Sequence, residues 1–359
     1  MFKLRDVAFA LLFLLLAELA ARTWIHDPSM PAGAVRSMTV HHLLDDVAGH
    51  RQKFLPLAGL SHRETWLCQE EKGSISFSSD RYGFHNADRF WDGPPDTVLI
   101  GDSFVQGYCV PEAEQLSAQL EPRAGKILNL GLKGTGPFSQ LGILLEYALP
   151  QHPKRVLWFI LANDILYDLE RELHQPVLQD YRWSKLQGLK ARQHEIDQLW
   201  LDKEADQPFL LPFSLKLPSA LLRLYTKVFR PQPVRPLEYA MQDILISQKH
   251  IQLFAETLAY GQRQAKAQGV EVQFIFIPDS WVFAKAEGGE VRKTIARVKT
   301  ALFNEGISLL DPTPEFDATN HPLGEYAALE GYYGHFTAEG FYRFARFVEA
   351  HQSSSFSKK

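Results

Sequence analysis

Five short apolar runs, spaced by helix-compatible stretches, constrain this chain more than any other feature. They are Thr97-Val98-Leu99-Ile100, Ile127 to Leu130, Val156 to Leu161, Val272 to Ile277 and Ser308 to Leu310. Short continuous runs rich in β-branched residues suit strands buried on both faces. Glu112 to Leu120, Ser139 to Leu149, Ile251 to Gln268 and Val291 to Glu305 separate them, and Phe341 to His351 closes the series. Strands alternating with helices predict a parallel sheet covered on both faces. Right-handed crossovers then make it a doubly wound, flavodoxin-like α/β domain: a three-layer α/β/α sandwich around a five-stranded parallel sheet. This domain is expected over 96–351.

More than a hundred residues separate the third run from the fourth. Leu169 to Asp206 is charged and helix-compatible, and Pro208 to Pro236 is rich in Leu, Phe and Pro. This is too long for an ordinary loop. A helical insertion is expected over 169–245, either capping the carboxyl ends of the strands, where α/β ligands bind, or serving as an embellishment without a substrate role. Residues 26–95 read as a linker and edge segment. His26, Asp27, Pro28, Pro31 and Gly33 mark the linker, Ser74-Ile75-Ser76-Phe77 alternates like an edge strand, and Asp92-Gly93-Pro94-Pro95 is a turn cluster. The last residues, 352–359, read as a disordered tail.

At the other end, Lys3 and Arg5 precede an apolar run from Val7 to Ala17, which Leu19, Ala20 and Ala21 extend past Glu18. Residues 1–25 are read as a signal anchor, with a cleaved signal peptide as the alternative. Basic residues before the run place the rest of the chain outside the cytoplasm, in the periplasm or beyond the cell. The membrane is thus an expected partner through this segment. A buried helix of a cytosolic domain is the competing reading. Net charge is −4 at pH 7, with no Lys/Arg run, so nothing favours nucleic-acid binding. The two cysteines, Cys68 and Cys109, match no zinc spacing, and no structural metal is expected. Outside the cytoplasm a disulfide between them is permitted; otherwise they are two small buried hydrophobes.

Four positions carry candidate chemistry. Gly101-Asp102-Ser103-Phe104 follows the first strand, which puts Ser103 at the carboxyl edge of the sheet near a helix N-terminus. The plain alternative is a turn with a capping serine. Asn129 to Gly136 is a Gly-rich turn after the second strand, able to aim a backbone N–H at a reacting oxygen; it lacks the Walker order, because Lys133 precedes Gly134. Ala162-Asn163-Asp164 ends the third strand, where an Asn amide can donate to an oxyanion or cap the next helix. Gly334-His335-Phe336-Thr337 precedes the last helix, and His335 there is either a general base for the serine or a neighbour of the cap at Thr337. Taken together, the four project to one edge of the sheet.

In this order the chain resembles the SGNH (GDSL-like) hydrolase superfamily, from about Thr97 to His351. Gly101-Asp102-Ser103 resembles its first block, Gly134 its oxyanion glycine, Asn163 its oxyanion asparagine and His335 its catalytic histidine. Tyr82-Gly83-Phe84 and the N-terminal segment are similar to membrane-anchored bacterial members, some of which act on cell-surface polysaccharide. The chain departs from the pattern twice. Leu161 stands where the third block has Gly, and Tyr332 stands where the family has an Asp three residues before the His. Asp311, Glu325, Glu330 or a backbone carbonyl are the alternatives for orienting His335. The resemblance implies Ser-His catalysis with Ser103, Gly134 and Asn163 around the oxyanion, and with Asp102 and Asp164 shaping the turns. It implies an ester substrate with a small acyl group such as acetyl, on a carbohydrate, and no cofactor. Water as acceptor makes an esterase, a sugar hydroxyl an O-acyltransferase. The rival reading is a non-catalytic carbohydrate-binding or envelope-assembly relative, in which the Ser103–His335 contact is lost.

Overall fold

The computed structural model describes residues 31, 33–37, 54–70, 73–206, 246–283, 288–329 and 332–351. The expectations for 1–25, for 207–245 of the insertion and for 352–359 lie outside these residues. Among the described residues, no helix is long and apolar enough to cross a membrane.

Strands β1 (Val35–Arg36), β2 (Glu64–Glu70) and β3 (Gly73–Ser78) form a small sheet of their own. The main sheet holds β4 (Thr97–Ile100), β5 (Ile127–Asn129), β6 (Arg155–Ile160), β7 (Glu271–Phe276) and β8 (Leu309–Leu310), in the order β5-β4-β6-β7-β8. Every pairing in it is parallel. These are the five apolar runs, matched to within one residue at each end. A hairpin of β9 (Tyr326–Leu329) and β10 (Tyr332–Phe336) follows.

The period-2 alternation of strand side chains explains why the runs are apolar throughout. Val98, Ile100, Val156, Trp158, Ile160, Phe274 and Phe276 belong to one buried cluster. Phe138 and Leu141 of the helix Pro137–Ile143, and Phe254 and Leu258 of the helix Gln248–Ala267, cover that face. The intervening residues Leu99, Leu157, Phe159 and Ile275 join a second cluster with Leu116 and Leu120 on Leu116–Ala124 and Phe341, Phe344 and Phe347 on Ala338–His351. The result is the expected three-layer sandwich. The order reverses at β4, which pairs with β5 on one edge and β6 on the other. Doubly wound sheets open a ligand crevice beside such a strand, at the carboxyl ends.

Ser74 to Phe77 does form a strand, but not at an edge of the main sheet: β3 pairs antiparallel with β2. A run alternating polar and apolar residues suits a two-layer setting, not a doubly covered parallel sheet. Residues 55–60, expected as linker, bury Leu55, Leu57, Ala58 and Leu60 in the larger cluster. The described part of the insertion clasps this segment. Trp200 Nε1 donates to Ala58 O at 2.8 Å, and Ser61 N and Oγ donate to the Asp197 carboxylate at 2.9 and 2.6 Å. Cys68 and Cys109 form a disulfide with Cα atoms 5.6 Å apart, joining β2 to the chain just past the helix Ser103–Gln106.

Asp80, fully buried, sits where β3 hands over to the domain. One carboxylate oxygen accepts the Tyr82 and Phe84 N–H groups (2.9 and 3.0 Å). The other accepts Asn86 Nδ2 (2.8 Å) and Trp91 Nε1 (2.7 Å). Asn86 thus held completes the outer edge of β5: its amide donates to Asn129 O and accepts Asn129 N, both at 2.8 Å. Four donors converge on Asp80, so replacing one oxygen by an NH₂ sets donor against donor. Asp80→Asn is expected to cost about 2–4 kcal/mol of stability, read as a lowered midpoint in urea unfolding. An unshifted midpoint would show that the network carries no stability.

Candidate active site

The turn after β4 is shaped by its own carboxylate. Asp102 Oδ1 accepts the Phe104 N–H at 3.1 Å and so caps the four-residue helix Ser103–Gln106. That places Ser103 at the first helical position, at the carboxyl edge of the sheet. Asn129, at the end of β5, fixes the helix from below. Its Nδ2 donates to Val105 O at 2.8 Å, and its Oδ1 accepts the Gly131 N–H at 2.9 Å. The approach is so close that a Cβ on Gly131 would lie 2.3 Å from Gln106 N. Gly134 lies further along this loop at φ +69°, the left-handed region that glycine enters without a Cβ penalty.

His335 arrives from the far end of the chain, on β10. Ser280 Oγ, just past β7, donates to Tyr333 O at 3.0 Å and ties the hairpin to the sheet edge. His335 Nε2 then stands 2.9 Å from Ser103 Oγ, although 232 residues separate the two. The rings of Tyr108 and Phe104 flank the imidazole, with centroids 4.3 and 4.7 Å away. Of the candidates for orienting His335, Asp311 binds Lys299 and Thr313, and Glu325 pairs with Arg343 at 2.8 Å. Glu330 lies outside the described residues.

Asp102 does more than shape the turn. Its second oxygen lies 3.3 Å from Ser103 Oγ and accepts Asn163 Nδ2 at 3.0 Å. The same Asn163 amide also donates to Asp168 Oδ2 at 3.2 Å. Both amide hydrogens therefore meet carboxylates, and presenting one to an oxyanion requires breaking one of these bonds. Burial raises the Asp102 carboxyl; the Asn163 hydrogen bond and the charge of His335 oppose the rise. Asp164 lies deeper, accepting Leu161 N at 2.8 Å and Gln140 Nε2 at 3.0 Å. Burial, with the nearby Asp102 and Asp168 carboxylates, pushes Asp164 well up. Glu172 accepts the Gly136 and Phe138 N–H groups at the start of the helix Pro137–Ile143, and burial lifts it to about 7.

A cavity of about 170 Å³ opens against Ser103, and Asp102, Asn163 and His335 also line it. Of the six residues singled out by sequence, it brings together these four; Gly134 and Asp164 do not line it. Its remaining wall includes Asp279, Ser280, Trp281 and Tyr333, which sequence reasoning passed over. Pro278-Asp279-Ser280 reads as turn punctuation; its position at the carboxyl end of the fourth strand was the usable signal.

Chemically, an imidazole within hydrogen-bond reach of a hydroxyl beside a small cavity can activate that hydroxyl as a nucleophile. Three solved structures are similar in overall course. They are a lipolytic protein of the G-D-S-L family from Desulfitobacterium hafniense, at 12% identity and TM-score 0.37, covering 71% of this chain and 97% of that one; a lipase/acylhydrolase from Enterococcus faecalis, at 14% and 0.39, covering 70% and 92%; and TesA, at 13% and 0.39, covering 71% and 96%. No family model matches the chain, and no curated protein does.

Asp279 accepts the Trp281 N–H at 3.1 Å, and burial raises its carboxyl from 3.8 to about 7. Its folded form therefore holds a proton that the unfolded chain releases near pH 4. The stability this contributes is complete below that pH and is lost as pH rises toward 7. Asp279→Asn should flatten the decline in stability between pH 4 and 7, measured by urea unfolding across that range. An unchanged slope would show that this carboxyl is ionised throughout.

Proposed function

We propose that the protein is a serine ester hydrolase of the SGNH type acting on short acyl esters. The observation that carries this reading is the 2.9 Å contact between His335 Nε2 and Ser103 Oγ at the wall of the cavity. Ser103 Oγ attacks the acyl carbonyl while its proton passes to His335. The ester C–O bond then breaks, and the alcohol leaves with that proton. Water, deprotonated by the same imidazole, releases the acid and restores the serine. The Ser103 N–H and, once it leaves one carboxylate, the Asn163 amide are the donors for the oxyanion at the cavity wall; the Gly134 N–H, which the resemblance adds, belongs to a residue outside that wall. A sugar hydroxyl in place of water turns the same steps into O-acyl transfer. The contact also weighs against the non-catalytic alternative, which has no need of it.

A cavity of about 170 Å³ offers room for about five or six waters, which suits an acetyl-sized group with a few carbons to spare. An acetylated carbohydrate outside the cytoplasm is the proposed substrate. Support for that compartment comes from the basic-then-apolar N-terminus and from the Cys68–Cys109 pair, since disulfides persist where the surroundings oxidise.

Fluorophosphonate labelling of the full-length chain is the direct test. The wild type should label, Ser103→Ala should not, and His335→Ala should label at least about a hundredfold more slowly. Absence of labelling in folded wild type would reject the hydrolase reading. Cavity size adds a second expectation: across 4-nitrophenyl esters, kcat/KM should fall steeply between butanoate and octanoate. A flat or rising series would exclude this cavity as the acyl site.

A further inference from the structure

Lys133 lies one residue before Gly134, in the loop that follows β5. Its backbone N–H donates to Gln106 Oε1 at 3.2 Å, which fixes the loop against the last residue of the serine's helix. Its ammonium stands 5.6 Å from the centroid of the Tyr108 ring. That ring in turn lies 4.3 Å from the imidazole of His335. Among the described residues, no carboxylate forms an ion pair or hydrogen bond with this amine. Burial lowers it from 10.5 to about 8, and the Arg36 guanidinium adds to the effect. Arg36 itself lies 5.7 Å from the Trp66 ring and has no carboxylate partner among the described residues. Even half-buried, a cation without a counter-charge carries a desolvation cost, and a ring face offsets only part of that cost. The group is therefore poised to gain from an arriving anion.

The cavity beside Ser103 takes the acyl half, and neither Lys133 nor Tyr108 lines it. An anion reaching Lys133 therefore belongs to the other half of the ester. Resting on the hydrolase reading above, we propose that Lys133 binds a carboxylate or phosphate carried by the alcohol portion of the substrate. The enzyme's natural ester is then one of an acidic alcohol, such as an acidic or phosphorylated sugar. Lys133 acts as a specificity residue and takes no part in the bond changes.

The test compares three acetyl esters on the full-length chain: neutral 4-nitrophenyl acetate, 4-acetoxybenzoate and 4-acetoxyphenyl phosphate. The readout is the ratio of kcat/KM for each anionic ester to that for the neutral one, in which any general loss of activity cancels. Lys133→Met should lower at least one ratio about tenfold, and Lys133→Arg should keep most of it. The ester whose ratio falls further identifies carboxylate or phosphate as the preferred group. Ratios in Lys133→Met within about twofold of wild type would overturn the proposal. A second arm needs no turnover: 4-hydroxybenzoate, 4-hydroxyphenyl phosphate and phenol are titrated against wild type and Lys133→Met, followed by tryptophan fluorescence. Tighter binding of either anion, lost in Lys133→Met, supports the cation site even where no ester is cleaved and Ser103 fails to label. Equal binding of all three phenols by wild type overturns it.

Discussion

A single line of buried hydrogen bonds sets where Ser103 stands. It runs from Asp80 to the amide of Asn86, from that amide to the backbone of Asn129, and from the Asn129 side chain to Val105 in the serine's helix. The first link joins two side chains; in the others a side-chain amide meets backbone groups that would otherwise be buried without partners. The line explains why a segment outside the sheet belongs to the domain. Asn86 completes the free edge of β5, and β5 carries Asn129. A neighbouring strut has the same effect: His85 Nδ1 contacts Gln106 O at 2.9 Å, so this nitrogen carries the proton, and burial lowers the imidazole to about 4. The disulfide adds a third tie beyond the helix, at Cys109.

On top of this frame the site is built from charge held in low dielectric. Asp102, Asp164, Asp168, Glu172 and Asp279 are all buried. Several are occupied with ordering backbone: Asp102 caps the serine's helix, Asp164 closes the turn after β6 at Leu161, and Glu172 caps the helix after the Gly-rich loop. Burial raises the carboxyl groups of Asp102, Asp164, Glu172 and Asp279, and neighbouring carboxylates add to the rise. Asn163 is drawn into this field, and its amide bridges Asp102 and Asp168. The amide at the end of the third strand is thus coupled to the charge state behind it. Lys133, held against the Tyr108 ring, is by contrast a positive charge without an acidic partner among the described residues.

The strands were readable because a doubly covered parallel sheet demands continuous apolar runs, and Thr97 to Ile100 or Val156 to Leu161 have no other setting. Ser103, Asn163 and His335 were readable because each follows or precedes a recognisable element at the carboxyl edge. Asp279 and Trp281 were not, since a Pro-Asp-Ser turn looks the same whether it faces solvent or a cavity. The role of residues 55–60 was also hidden: without the tryptophan and aspartate of Trp200 and Asp197 in view, a short apolar stretch among turn residues reads as linker.

By itself, then, the order of residues determined the layered α/β fold and singled out Ser103 and His335 as the candidate pair, because periodicity and strand-end position are local properties of the chain. Only the tertiary structure decided that Ser103 and His335 meet at 2.9 Å, that both hydrogens of the Asn163 amide face carboxylates, and that Lys133 lies against the ring beside the histidine. Those facts depend on groups brought together across hundreds of residues, where distance and burial set the chemistry and sequence spacing carries no information about either.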